Sequence, residues 1–293
     1  SRLTRPDGTP EQWYLHLFDV HQPDLDWGSD LVKEGFDDIL RHWLDLGVDG
    51  FRVDVAHSLV KADGLPDTEE HTEQGNFNLG PMWDQDGVHD IYRRWRRVLE
   101  EYDGDRVLVA EAWIPSPERL ARYVREDEMH QAFNFDFLAS TWDAASYRRV
   151  IAETMASNAA VGAPTTWVLS NHDVVRHATR LAREDTSDTE GISASDPQPD
   201  AALGIRRGRA ATLMMLALPG SAYLYQGEEL GLPEHTSVPD DLRQDPIWFR
   251  SESDQVGRDG CRIPLPWVGD APGAGFSPTG RTWLPQPDSY ASL

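Results

Sequence analysis

A chain of 293 residues with a formal charge of -23 is long enough to bury a substantial core, as one large domain or two modest ones. So acidic a composition excludes nucleic acid and anionic membranes as natural partners, since both need basic surface, and favours a small neutral ligand. The single cysteine, Cys261, forbids an internal disulfide and favours a reducing, cytoplasmic compartment. The longest apolar run, Thr212 to Leu218, is too short for a bilayer span, and no signal-peptide pattern is expected from the loop-like S-R-L-T-R-P-D-G-T-P opening.

In chain order, Trp13 to Phe18 (W-Y-L-H-L-F) predicts a short strand, ended by Pro23. Ser29 is placed to cap a helix in which Val32, Phe36, Ile39, Leu40 and Trp43 recur at helical spacing, with Gly47 as its stop. A strand follows at Phe51 to Val55, then a polar loop over Lys61 to Gln85. Val88, Ile91, Tyr92, Trp95, Val98, Leu99 and Tyr102 form the clearest apolar stripe of the chain, and Arg93, Arg94, Arg96 and Arg97 read as its solvated face. Arg106 to Trp113 predicts a strand ending in Glu111, and Ser116-Pro117 opens a helix. Ala132 to Leu138 reads as a further strand, Trp142 to Met155 as a helix, and Thr165 to Asp173 as a strand ending in a carboxylate. The acidic stretch from Arg183 to Asp200 is a loop, Ala201 to Leu218 a helix stopped by Pro219-Gly220, and Ala222 to Leu230 a strand running into a loop. Strand and helix thus alternate, as in parallel α/β folds.

The stretch Asp49 to Ser58, D-G-F-R-V-D-V-A-H-S, carries the chemistry. Arg52 and Asp54 share one face of a strand because side chains alternate with period two. Buried opposite charges must pair, so an isolated R-x-D is most simply a structural ion pair. Glu111, Asp173 and Glu228, however, also close predicted strands, and strand C-termini are where parallel α/β folds place active sites. An apolar setting after Val107 to Ala110 would keep Glu111 protonated as a general acid, while Arg52 would keep Asp54 ionised as a buried nucleophile. Two carboxyls with divergent protonation are what glycoside hydrolysis requires. Glu228 and Glu229 read as loop anchors. His57, His172 and His177 with Asp173 lack metal-ligand spacing, so neither metal nor other cofactor is expected. Most of the eleven tryptophans are expected to fill cores.

These stretches resemble the α-amylase superfamily of glycoside hydrolases. G-F-R-V-D-V-A-H at Gly50 to His57 is similar to its nucleophile strand, implying Asp54 as nucleophile and Arg52 as its partner. A-E-A-W at Ala110 to Trp113 implies Glu111 as acid/base. S-N-H-D at Ser170 to Asp173 implies that His172 and Asp173 grip sugar hydroxyls and stabilise the transition state. Q-P-D-L-D-W at Gln22 to Trp27 and Y-Q-G-E-E-L-G at Tyr225 to Gly231 resemble the oligo-1,6-glucosidase and α-glucosidase branch, with Asp26 in place of the usual Asn. By analogy Arg258, in R-D-G-C-R, reaches the terminal sugar.

The resemblance implies a partial (β/α)8 barrel of about strands four to eight, with residues 1–28 as the tail of an inserted domain B and a linker, and 29–293 as the C-terminal part of the catalytic barrel. The family's Asp-x-x-x-Asn-His signature, first strands and C-terminal domain have no counterpart, so a fragment of a longer enzyme is expected. The implied activity is a retaining α-glucosidase acting on short oligosaccharides, with its carboxyls about 5 to 5.5 Å apart. A transglycosylase of the same superfamily is the alternative, and a non-catalytic homologue a further one, though all three acidic residues stand. Val55 after the nucleophile resembles enzymes accepting α-1,6 bonds, whereas R-D-G-C-R-I-P-L-P-W resembles those acting on α-1,4 bonds.

Overall fold

The structure, a computed structural model, describes residues 1–67, 73–74, 77–78 and 80–292. The chain divides into two compact units: Ser1–Phe133 with Ser157–Ala163, and Asn134–Ala156 with Pro164–Leu293.

The first unit opens with an antiparallel hairpin, β1 (Arg2–Thr4) and β2 (Pro10–Trp13), and continues with α1 (Asp30–Asp45) and β3 (Gly50–Val53). A second small hairpin, β4 (Glu73–Gln74) and β5 (Phe77–Asn78), precedes α2 (Val88–Leu99), β6 (Val107–Ala110), α3 (Pro117–Arg122) and β7 (Gln131–Ala132). Strands β3, β6 and β7 form a parallel sheet in that order, with Val53 opposite Ala110 and Ala110 opposite Ala132. Each parallel step crosses over through a helix, as parallel pairing demands. Gly50 lets β3 approach β6, because a Cβ there would lie 2.1 Å from the Val107 carbonyl oxygen. The α2 stripe Val88, Ile91, Tyr92, Trp95, Val98 and Leu99 is buried, joined by Trp27, Leu40, Leu44 and Leu108 in one core. At about 1.5–3 kcal/mol for each large side chain withdrawn from water, this stripe stabilises the unit substantially.

The second unit holds α4 (Phe135–Leu138), most of α5 (Ala144–Ala160), β8 (Thr166–Val168), α6 (His177–Arg180), α7 (Ala201–Ala217), β9 (Ser221–Tyr223) and α8 (Pro246–Arg250). β8 and β9 pair in parallel, Val168 opposite Tyr223, and α7 lies in the connection between them. Asp200 caps α7 by accepting from Leu203 N at 2.9 Å. Phe137, Trp167, Leu169, Ala211 and Met215 form one core, and Leu232, Ile263, Leu265 and Tyr290 belong to another beneath the C-terminal loops.

Several sequence expectations are corrected. The strand expected at Trp13 to Phe18 is instead the β1–β2 hairpin, ending at Trp13, and Leu17 N turns to the Asp24 carboxylate. Ala132 to Leu138 is strand only to Ala132. Asn134 still makes a single parallel bridge to Trp167, but its side chain accepts from Phe137 N at 2.9 Å and caps α4, which turns the following residues into helix. The arginine face of α2 is not simply solvated, since Arg93 pairs with Glu128 and Arg94 with Asp37. Of the tryptophans only Trp27, Trp95 and Trp167 are buried, while Trp13, Trp43, Trp267 and Trp283 are exposed.

Candidate active site

In the first unit the parallel register sets Asp54, just past β3, beside Glu111, just past β6. Glu111 N donates to the Val53 carbonyl at 2.9 Å and Ala56 N to the Glu111 carbonyl at 2.7 Å, so the ladder continues into the turn. The Glu111 carboxylate returns the tie, its Oε2 accepting from Val55 N at 2.7 Å. Val55 is held at φ 44°, a conformation that a β-branched residue adopts only when its surroundings compel it. Arg52 Nη1 donates to Asp54 Oδ1 at 2.6 Å, and Nη2 lies 4.0 Å from Glu111 Oε2. Both carboxyls therefore face one guanidinium.

Burial separates them. The Glu111 side chain is 7% exposed, whereas that of Asp54 is 72% exposed, which corrects the expectation of a buried aspartate. Asp54 lies one residue beyond the end of the strand, where neighbouring strands no longer cover it.

His57 lies fully buried behind this turn, tilted on Trp83 with ring centroids 5.1 Å apart. Burial lowers its pKa to about 4, so it is neutral at physiological pH. The folded value lies below the unfolded one of about 6.5, so stability falls as the pH drops from about 6.5 towards 4, where only the unfolded chain takes the proton. Urea unfolding should show His57→Gln losing about 2 kcal/mol less than the parent between pH 7 and pH 5. Equal losses in the two proteins would remove His57 as the cause.

The Q-P-D-L-D-W stretch is a brace. Asp24 Oδ1 pairs with Lys61 Nζ, which also donates to the Ser58 carbonyl just after the Asp54 turn. Trp27 enters the core against Phe36 and Trp95. Nothing in the polar stretch around Lys61 signals this role in the sequence.

In the second unit Asp173 lies five residues beyond β8, in a turn where its N–H donates to Asn171 Oδ1 at 2.8 Å. Arg258 Nη1 lies 2.9 Å and Arg262 Nη2 3.0 Å from Asp173 Oδ1, and His172 Nε2 is 3.2 Å from Oδ2. Arg258 is fixed from behind by the fully buried Asp245, which accepts its Nε at 2.6 Å and its backbone N–H at 2.8 Å. These carboxylates raise the Arg258 pKa further, and the pairing holds Asp245 below the usual carboxylate range. Arg262 Nε donates to the His172 carbonyl at 2.7 Å. The structure thus brings Arg258 to Asp173 and adds Arg262 and Asp245. The two arginines of R-D-G-C-R were a visible signal for Arg262. Asp245 had only the helix-start pattern Asp-Pro. Among the described residues no cluster of His, Cys, Asp and Glu could hold a metal ion.

The sequence profile of the alpha amylase catalytic domain matches residues 5–293. The chain belongs to the α-amylase family. It is 31% identical to a probable alpha-glucosidase of Rhizobium meliloti over 97% of this chain and 51% of that protein. It is 32% identical to the trehalose synthase/amylase TreS of Mycobacterium tuberculosis over 95% of this chain and 44% of that one. The chain thus spans about half the length of these curated relatives. Among solved structures, the alpha-glucosyl transfer enzyme XgtA superposes with a TM-score of 0.78 at 30% identity, covering 99% of this chain and 56% of that one. The trehalulose synthase MutB of Pseudomonas mesoacidophila MX-45, at 24% identity and a TM-score of 0.74, covers 100% of this chain and 54% of its own, and shares the fold. The fold of this α-amylase family chain is a partial (β/α)8 barrel.

Proposed function

We propose that the natural full-length protein is a retaining α-glucosidase that removes terminal α-linked glucose from short, neutral oligosaccharides. The observation that carries the proposal is the pair Asp54 and Glu111, at the C-terminal ends of two paired parallel strands and turned to one arginine. Asp54 Oδ1 is engaged by Arg52, which leaves Oδ2 to attack the anomeric carbon. Glu111, held in place through its Oε2 by Val55 N, is proposed to supply the acidic proton. As the Asp54–C1 bond forms and the C1–O bond breaks, that proton passes to the leaving oxygen. Water then gives a proton back to Glu111 and attacks C1, releasing Asp54 and an α-configured sugar. Asp173, oriented by Arg258, Arg262 and His172, is proposed to hold sugar hydroxyls and stabilise the transition state.

The antiparallel hairpin within residues 1–28 supports reading that segment as the tail of a domain B, with 29–293 as barrel. A cytoplasmic site of action is proposed from the single cysteine. No helix of the described residues is long and apolar enough to cross a membrane.

Transglycosylation is a second reading, favoured by the similarity to a trehalose synthase/amylase and to an alpha-glucosyl transfer enzyme. Proton NMR of the natural full-length protein acting on maltose and on isomaltose tests both. Initial release of α-glucose supports the hydrolase, and new disaccharides or trisaccharides support transfer. Initial β-glucose, or no turnover of either sugar, overturns the proposal.

A further inference from the structure

Beneath the S-N-H-D turn of the second unit lies a buried carboxylate that the proposed chemistry does not use. The Glu228 side chain is 2% exposed, and neither of its oxygens accepts a hydrogen bond from a described residue. Withdrawing a carboxylate from water without hydrogen-bonded partners costs several kcal/mol unless a charge or dipole faces it. His177 faces it, with Nδ1 3.3 Å from Glu228 Oε1, and the buried Arg180 guanidinium also acts on it through space. The same Nδ1 is 2.9 Å from Ser170 Oγ, and Ser170 Oγ also accepts from His177 N at 2.9 Å. On the far side of the ring, Nε2 is 3.2 Å from Thr212 Oγ1. One residue earlier, the Leu169 carbonyl accepts from the fully buried Arg180 at 2.8 Å. His177 and Arg180 are the two ends of α6, so this helix grips residues 169 and 170 immediately before Asn171, His172 and Asp173.

We propose that Glu228, His177 and Ser170 form a positioning relay for the Asp173 turn. Glu228 fixes the orientation of the His177 ring, and the ring and backbone of His177 fix Ser170. Ser170 then sets the start of the turn that presents His172 and Asp173 to the sugar. An imidazole held on one edge by Ser170 and the Glu228 carboxyl and on the other by Thr212 is a more rigid support than a serine bonded to backbone alone. The relay rests on the assignment of Asp173 to the sugar site. None of its three members is proposed to touch substrate, so they are positioning residues.

Glu228→Gln, His177→Gln, Ser170→Ala and the double variant Glu228→Gln/His177→Gln, made in the natural full-length protein, test the relay. Displacement of a transition-state group by about 1 Å costs up to about 100-fold. Each single variant is therefore expected to lower kcat on maltose about 10- to 100-fold per active site, counted by trapping with 5-fluoro-α-glucosyl fluoride. KM should stay within about two-fold, and the double variant should lose no more than the worse single one. Unchanged turnover per trapped site overturns the relay, as do losses that simply multiply in the double variant. The imidazole resonances of His172 are recorded on the same samples without sugar. They should move in Glu228→Gln. Their failure to move overturns the relay whether or not the parent protein cleaves α-glucosides, whereas a shift in an inactive parent overturns the glucosidase assignment alone.

Discussion

Replacing Asp54 by Asn in the natural full-length protein should lower kcat on maltose by about 10⁴-fold or more while leaving the fold intact. The size of the loss follows from covalent catalysis. An amide oxygen is too weak a nucleophile to displace an alcohol from the anomeric carbon, and the deglycosylation step has nothing to act on. The fold should survive because Asp54 lies past the end of β3 with most of its side chain in water, and it pairs with Arg52, about a third of whose side chain is also in water. Such a pair contributes about 0–1 kcal/mol, and Asn retains an acceptor for Arg52. Circular dichroism and the thermal midpoint check the fold, and single-turnover kinetics check the chemistry. Retained turnover would remove Asp54 from the mechanism and return R-x-D to a structural ion pair.

Glu128→Ala should be the most destabilising single change in the first unit. The Glu128 side chain is completely buried and accepts from His89 Nδ1 at 2.7 Å, Arg93 Nη1 at 2.9 Å and Arg125 Nε at 2.9 Å. Its backbone carbonyl also accepts from Arg96 at 3.1 Å. It thus ties three points on α2 to the loop before β7. Removing one member of a buried charge cluster costs about 3–5 kcal/mol, since the partners are left without a counter-charge. Arg93 and Arg125 keep about a third of their side chains in water, which places the expected loss near about 3 kcal/mol. Urea unfolding followed by tryptophan fluorescence measures it. A loss under about 1 kcal/mol would show that the arginines are solvated well enough to release the carboxylate.

Local periodicity made much of the fold legible. The stripe of α2, the carboxylate just past β6 and the Pro-Gly stop after α7 stand where hydrophobic spacing and turn residues put them. In α1 Leu40 is buried as expected, but Ile39 and Trp43 are exposed, Leu44 enters the core instead, and the Ser29 side chain makes no capping bond. Ala132 to Leu138 misled because three phenylalanines in alternation suit a strand, while the deciding bond is made by the single side chain of Asn134. In the candidate site, Arg52, Asp54 and Glu111 were readable because charges are rare inside apolar strands. Asp245 and Lys61 were not readable, because their charged partners Arg258 and Asp24 lie elsewhere in the chain and neither residue interrupts an apolar run. The burial difference between Asp54 and Glu111 was also invisible. It depends on how neighbouring chain covers each strand end, and both residues directly follow the last residue of a four-residue strand.

Lysine is scarce in this sequence, which carries only Lys33 and Lys61. Lys33 has nearly a third of its side chain in water, but Lys61 is 8% exposed and clasped between Asp24 and the carbonyl of Ser58. Acylation of Lys61 by an amine-directed reagent thus requires the segment behind Asp54 to open. Its labelling rate, set against that of Lys33 in the same molecule, would serve as an internal clock for that opening.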